Sequence, residues 1–126
     1  MGICRSRRQT EPGHKYSGSN DPDMVAWYDD NSGKTTHPVG TKAANELGIH
    51  DMSGNVYEWC WDWHDYNYYG MSPESSPPGA ASGTDRVCRG GSWISNVNFS
   101  LVAKRFNDFP FCRFCNRGFR VLRALK

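Results

Sequence analysis

Phenylalanine is missing before Phe99, and all six phenylalanines of the chain then fall between Phe99 and Phe119. Tryptophan and tyrosine are spread from Tyr16 to Trp93, so ordinary core demand does not explain the sorting. Long apolar runs are missing too. Nothing approaches the roughly 18 residues of a membrane-spanning helix, and the first residues lack the apolar stretch of a signal peptide. Charge of one sign is not concentrated: the formal net charge of +2 comes from interspersed residues, apart from Arg5, Arg7 and Arg8. That pattern argues against nucleic acid or an anionic membrane as the main partner. Cys4, Cys60, Cys88, Cys112 and Cys115 are odd in number and irregularly spaced, so they outline no disulfide framework.

What remains, at 126 residues, is room for one small, aromatic-rich core. Residues 1–13 read as a flexible N-terminal segment. Met1-Gly2 with Ser6 matches a myristoylation pattern and Cys4 offers a second acyl site, so a membrane enters only through lipid anchoring. Thirteen glycines and seven prolines interrupt the chain and predict mostly irregular structure, with one short helix around Thr41 to Leu47 closed by Gly48. From Asn55 to Trp63 the residues alternate. Tyr57, Trp59, Trp61 and Trp63 share one side, predicting a strand whose aromatic face, with Trp93, fills the interior. Tyr66 to Gly83 reads as a surface loop, Arg86 to Arg89 as a strand bent at Gly90-Gly91, and Phe119 to Leu125 as a last strand.

Phe106, Phe109, Phe111 and Phe114 stand among Asn107, Asp108, Pro110, Arg113, Asn116 and Arg117, the vocabulary of a surface loop. They are therefore either a half-buried strand, since Phe109 and Phe111 alternate correctly, or rings presented on one accessible face. Cys112-Arg113-Phe114-Cys115 has the spacing of half a zinc site or of a dithiol pair. Zinc needs two further ligands, and Cys60, Cys88, His37, His50 and His64 contain no second close pair.

Three motifs follow in order: Asn45 to Trp59 (NELGIHDMSGNVYEW), Arg89 to Trp93 (RGGSW) and Asn116 to Arg120 (NRGFR). Together they resemble the formylglycine-generating-enzyme, or sulfatase-modifying-factor, domain. The resemblance implies an α+β, C-type lectin-like fold, mostly irregular loops around a small antiparallel sheet, with residues 14–126 forming a partial domain. None of the EPN, QPD or WND sugar-binding signatures of true C-type lectins occurs. Catalytic members of the family are copper oxidases that use two cysteines after the glycine motif, and the family spacing places Ser95 and Ser100 there. A hydroxyl is a poor ligand for copper(I), so no copper and no oxidase activity are expected.

The chain is similar above all to the variable proteins of diversity-generating retroelements, in which adenines of asparagine codons between the two closing motifs are randomised. Changing only the adenines of AAC reaches codons for Phe, Cys, Ile, Leu and Ser. Ile94, Ser95, Leu101, Phe106, Phe109, Phe111, Cys112, Phe114 and Cys115 fit that set, and Asn96 and Asn98 are unmutated template or fixed positions. With Phe99 they form the ligand-binding set expected at 94–115, held on fixed residues including Trp93, Arg105, Pro110, Arg113 and Arg117. The resemblance implies a receptor-type protein that binds a macromolecule, most simply a protein, displayed at a cell surface or outside the cell. The alternative is a copper-dependent oxidase of the formylglycine-generating type, or a degenerate fragment of one.

The resemblance also implies a structural Ca2+ held by the Asp51 side chain, the carbonyls of Gly54 and Val56, and Glu58, all hard oxygen donors. The plainer reading of the same residues is that Asp51 caps a turn and Glu58 pairs with an arginine.

Overall fold

The computed structural model describes residues 13–64 and 80–121. A single helical turn, α1 (Pro22–Val25), is capped by Asp21, whose side chain accepts from the Asp23 amide at 3.0 Å, with Pro22 at the first helical position. Strands β1 (Tyr57–Trp63), β2 (Arg86–Arg89), β3 (Phe106–Asp108) and β4 (Arg117–Gly118) follow, with a 3₁₀ turn at Val97–Ser100 between β2 and β3. They make one four-stranded sheet in the order β3-β2-β1-β4. The β1/β2 and β2/β3 pairs are antiparallel, while β4 joins β1 in parallel through Tyr57 opposite Arg117 and Glu58 opposite Gly118.

The helix expected at Thr41 to Leu47 is absent. Asn45 turns the chain instead: its side-chain oxygen accepts from the amides of Leu47 and Ile49 at 2.9 and 3.0 Å, and its carbonyl accepts from Gly48. Local side-chain bonds of this kind compete with helical ones, and here they win. Gly48 closes a turn, not a helix.

The strand over β1 matches the alternation, but the core it builds is different from the expected one. Tyr57 is buried, whereas Trp61 is exposed and Trp59 and Trp63 are half-buried; the deep positions of this strand also include Glu58 and Cys60. Arg86 of β2 explains the outward tryptophans. Its guanidinium lies 4.6 Å from the Trp61 ring and 3.5 Å from that of Trp63, and donates to the Trp61 carbonyl, so the rings stack on a cation at the surface. Among the described residues the buried apolar set is Tyr16, Val25, Ala26, Tyr28, Tyr57, Cys60, Val87 and Cys88. Trp93 is only half-buried, although its Nε1 is enclosed without a hydrogen-bond partner.

The last strand also differs from expectation. Among the described residues of this stretch, Arg117 and Gly118 pair with β1, after which Phe119 and Val121 stand exposed and Arg120 turns back to Glu58. Leu122 to Leu125 and most of the Tyr66 to Gly83 loop lie outside the described residues. Among those described, no helix is long and apolar enough to cross a membrane.

Buried polar side chains tie the loops to this small sheet. The Asn55 side chain accepts from the His37 amide and donates to the His37 carbonyl, both at 3.0 Å, while its own backbone bonds to Trp27 and Trp93. Ser53 Oγ accepts from the Ser17 amide and donates to the Ser100 carbonyl. Gly54 permits the approach of two segments: at φ +78° a Cβ there would lie 2.5 Å from both N and O of Trp27.

Candidate recognition surface

Beyond β2 the chain turns at Gly91, where a Cβ would meet Ser100 Oγ at 2.4 Å, and enters the segment expected to bind. Ile94, Asn96 and Asn98 are exposed, and Ser95, Phe99 and Leu101 are half-buried. Two of these carry structure as well. Asn96 caps the 3₁₀ turn by accepting from the Asn98 amide, and the Ser95 carbonyl accepts from the Asp29 amide.

The phenylalanines divide. Phe106, on β3, is half-buried, 5.3 Å from the Tyr57 ring and 6.4 Å edge-on to Phe99, so it packs onto the sheet. Phe109, Phe111 and Phe114 are exposed at 46%, 77% and 53%, too open for a half-buried strand. Phe109 to Cys112 form a turn closed by the Cys112 amide on the Phe109 carbonyl at 3.0 Å, with Pro110 at its second position. Phe109 and Phe111 stack across it at 5.4 Å, with ring planes 8° apart.

Arg117 holds this loop to the sheet. Its side chain is 9% exposed, pairs with Asp108 at 3.1 Å, bonds Asn116, and lies within about 5.5 Å of the rings of Tyr57, Phe106 and Phe114. Arg105 is half-buried and Arg113 exposed. Cys112 is half-buried and Cys115 exposed, both as free thiols. Partial burial, and then a hydrogen bond to Asp108, push the Cys112 thiol up. Among the described residues no group of three or more His, Cys, Asp or Glu side chains could hold a metal.

A second feature lies at the β4 edge: a pocket lined by Val39, Ile49, Asp51, Glu58, Phe119 and Arg120, among others. Arg120 reaches both Glu58 oxygens, the shortest bond being 2.6 Å, and donates to the carbonyls of His50 and Asp51. Asp51, at φ +59°, is buried; Oδ2 accepts from the Gly40 amide at 2.8 Å, and Oδ1 has no hydrogen-bond partner.

The sequence matches the sulfatase-modifying factor enzyme 1-like domain over residues 5–125. The chain belongs to this family. Among curated relatives it is 42% identical to the chaperone protein LppX of Paenibacillus barcinonensis, over 80% of this chain and 38% of that protein. It is 40% identical to the formylglycine-generating enzyme of Streptomyces coelicolor, over 68% of this chain and 28% of the enzyme. Among solved structures, Treponema denticola variable protein 1 superposes with a TM-score of 0.75 at 39% identity, covering 85% of this chain and 40% of that one. The chain thus spans about two fifths or less of the length of these relatives. The fold is that of the formylglycine-generating-enzyme type of C-type lectin domain, shared with a variable protein.

Ser95 and Ser100 are the positions that the family spacing is expected to match to the copper-binding cysteines. Ser95 Oγ lies 2.8 Å from Ser92 Oγ, and Ser100 Oγ is buried against Gly91. Both are hard hydroxyls where copper(I) needs thiolates. Burial pushes the Tyr57 phenol up, against the opposing pull of its hydrogen bond with Ser95 and of Arg117. The oxygen set expected for Ca2+ fits a hard cation better, because the Asp51 Oδ1 is buried and unsatisfied. The plainer reading of the pair is present too: Glu58 is bound by Arg120, and Asp51 accepts a turn amide. Sequence reasoning missed the anchoring roles of Asn55 and Ser53, although both lie inside a quoted motif. Nothing in a single sequence marks a polar residue as buried.

Proposed function

We propose that the protein is a ligand-binding variable protein, in which a fixed scaffold displays the segment from Ile94 to Cys115 to a macromolecular partner, most simply a protein. The observation that carries this reading is the exposed Phe109-Pro110-Phe111 turn and Phe114, anchored from beneath by the largely buried Arg117. Large exposed rings on an anchored turn contribute binding area at small entropic loss. The kinship with a variable protein supports the same reading. Its test is the DNA of sibling clones: substitutions confined to asparagine-derived codons between Ile94 and Cys115 are expected, and changes scattered evenly over the domain would refute it.

The kinship with formylglycine-generating enzymes makes oxidase activity the competing reading. Copper(I) titration with a mass assay on a cysteine-containing sulfatase-type peptide separates the two, and neither tight copper binding nor conversion of the cysteine is expected. We also propose that Asp51, with the Gly54 and Val56 carbonyls and Glu58, takes Ca2+ as a structural ion.

A further inference from the structure

The Phe109-Pro110-Phe111 turn is a protrusion, and its shape and surrounding charge point to one kind of partner. We propose that it inserts into a concave apolar pocket rimmed by carboxylates on a partner protein. The proposal rests on the recognition-surface reading and specifies its chemistry.

Shape comes first. The turn is closed by a backbone hydrogen bond, its proline fixes one φ, and its two rings are already stacked, so little conformational freedom is left to lose on binding. Three consecutive exposed residues at a turn tip are convex, whereas a small molecule needs a concave site of its own. The complement of a rigid aromatic knob is a pocket, the arrangement in which aromatic anchors dominate binding energy.

Charge comes second. From Ile94 to Val121 the chain carries Lys104, Arg105, Arg113, Arg117 and Arg120 against one acid, Asp108, and Arg120 is paired outside the stretch, with Glu58 of β1. That acid is spent internally, one oxygen on Arg117 and the other on the Phe109 amide. Lys104 and Arg113 are exposed, and Arg113 follows the turn directly. Lys104 and Arg113 make no ion pair among the described residues, so a partner surface meets two unpaired cations and carboxylates at its rim satisfy them. Nucleic acid suits the same sign less well. Two exposed cations make a poor phosphate track, and rings stacked on each other have one face fewer to offer a base.

The test pans the chain against a display library built on a concave repeat-protein scaffold with randomised surface positions. Expected binders carry apolar pocket residues flanked by more Asp and Glu than Lys and Arg. Most should lose about tenfold or more in affinity for Phe109→Ala or Phe111→Ala, and about tenfold for Arg113→Glu, an exposed position where folding is not at risk. Binders that need both rings but carry neutral or basic flanks, and tolerate Arg113→Glu, overturn the charge assignment while leaving the recognition surface standing. A majority indifferent to both rings overturns the proposal and the surface together. Knob-dependent binding of a labelled oligothymidylate overturns it in favour of single-stranded nucleic acid.

Discussion

Asn55 joins three segments at once, since its amide takes both backbone polar groups of His37 while its own backbone reaches Trp27 and Trp93. It does so at φ +69°, where asparagine is tolerated and alanine is strained. Asn55→Ala should therefore cost about 2 to 4 kcal/mol, combining backbone strain with unsatisfied buried groups, and Asn55→Gly should recover only the strain, roughly 1 kcal/mol. Urea denaturation of the three proteins checks the order. Tyr28 offers a pH-dependent case. Its hydroxyl donates to Asp23 at 2.7 Å, and that hydrogen bond, followed by burial, pushes the phenol up from 10.0 to about 12. A raised folded-state value means that the neutral form stabilises the fold below pH 10.0, and that this contribution disappears as pH climbs through about 12. Tyr28→Phe should lose about 1 to 2 kcal/mol at pH 8 and show a flatter decline between those two values, measured by melting at stepped alkaline pH.

At the scale of elements, the strands over β1 and β2 were legible because alternation and a double glycine are local signals. The expected helix at Thr41 to Leu47 was not, because its failure depends on the Asn45 side chain choosing the amides of Leu47 and Ile49. The outward tryptophans of β1 were illegible for a related reason: stacking on Arg86 is a cross-strand fact with no trace in the alternation. The loop of the recognition surface was legible in type, since phenylalanines among turn residues point outward. The inward role of Phe106 required β3 to pair with β2, opposite Cys88. This split gives a prediction within one short stretch of chain. Phe111→Ala removes a ring 77% exposed and should change stability by only about 0.5 kcal/mol, while Phe106→Ala strips packing from Tyr57 and Phe99 and should cost about 2 to 3 kcal/mol. Equal effects at both positions would mean that the loop is packed in a way the fold does not show.

Across the whole molecule, Glu58 and Arg120 connect the strand at the centre of the sheet to the end of the described chain, and Arg120 also gathers the carbonyls of His50 and Asp51. The pair is unevenly exposed, with 12% of the Glu58 side chain accessible against 37% for Arg120, so solvent weakens the bridge on one side. Losing Arg120 should cost about 1 to 3 kcal/mol, less than breaking a fully buried pair. The same substitution distinguishes the two roles read from the motif. If Ca2+ occupies the Asp51 and Glu58 oxygens, it competes with the guanidinium for Glu58, and Arg120→Met should lower the melting temperature in chelator while enlarging the gain on adding calcium. Glu58→Gln should abolish that gain, and Asp51→Asn should diminish it by neutralising the unsatisfied oxygen. Melting of the wild type and the three variants, each with chelator and with excess calcium, decides the matter. A wild type and an Arg120→Met protein that both melt identically in the two conditions would assign Glu58 wholly to the ion pair, with Asp51 left as the cap of the Gly40 turn.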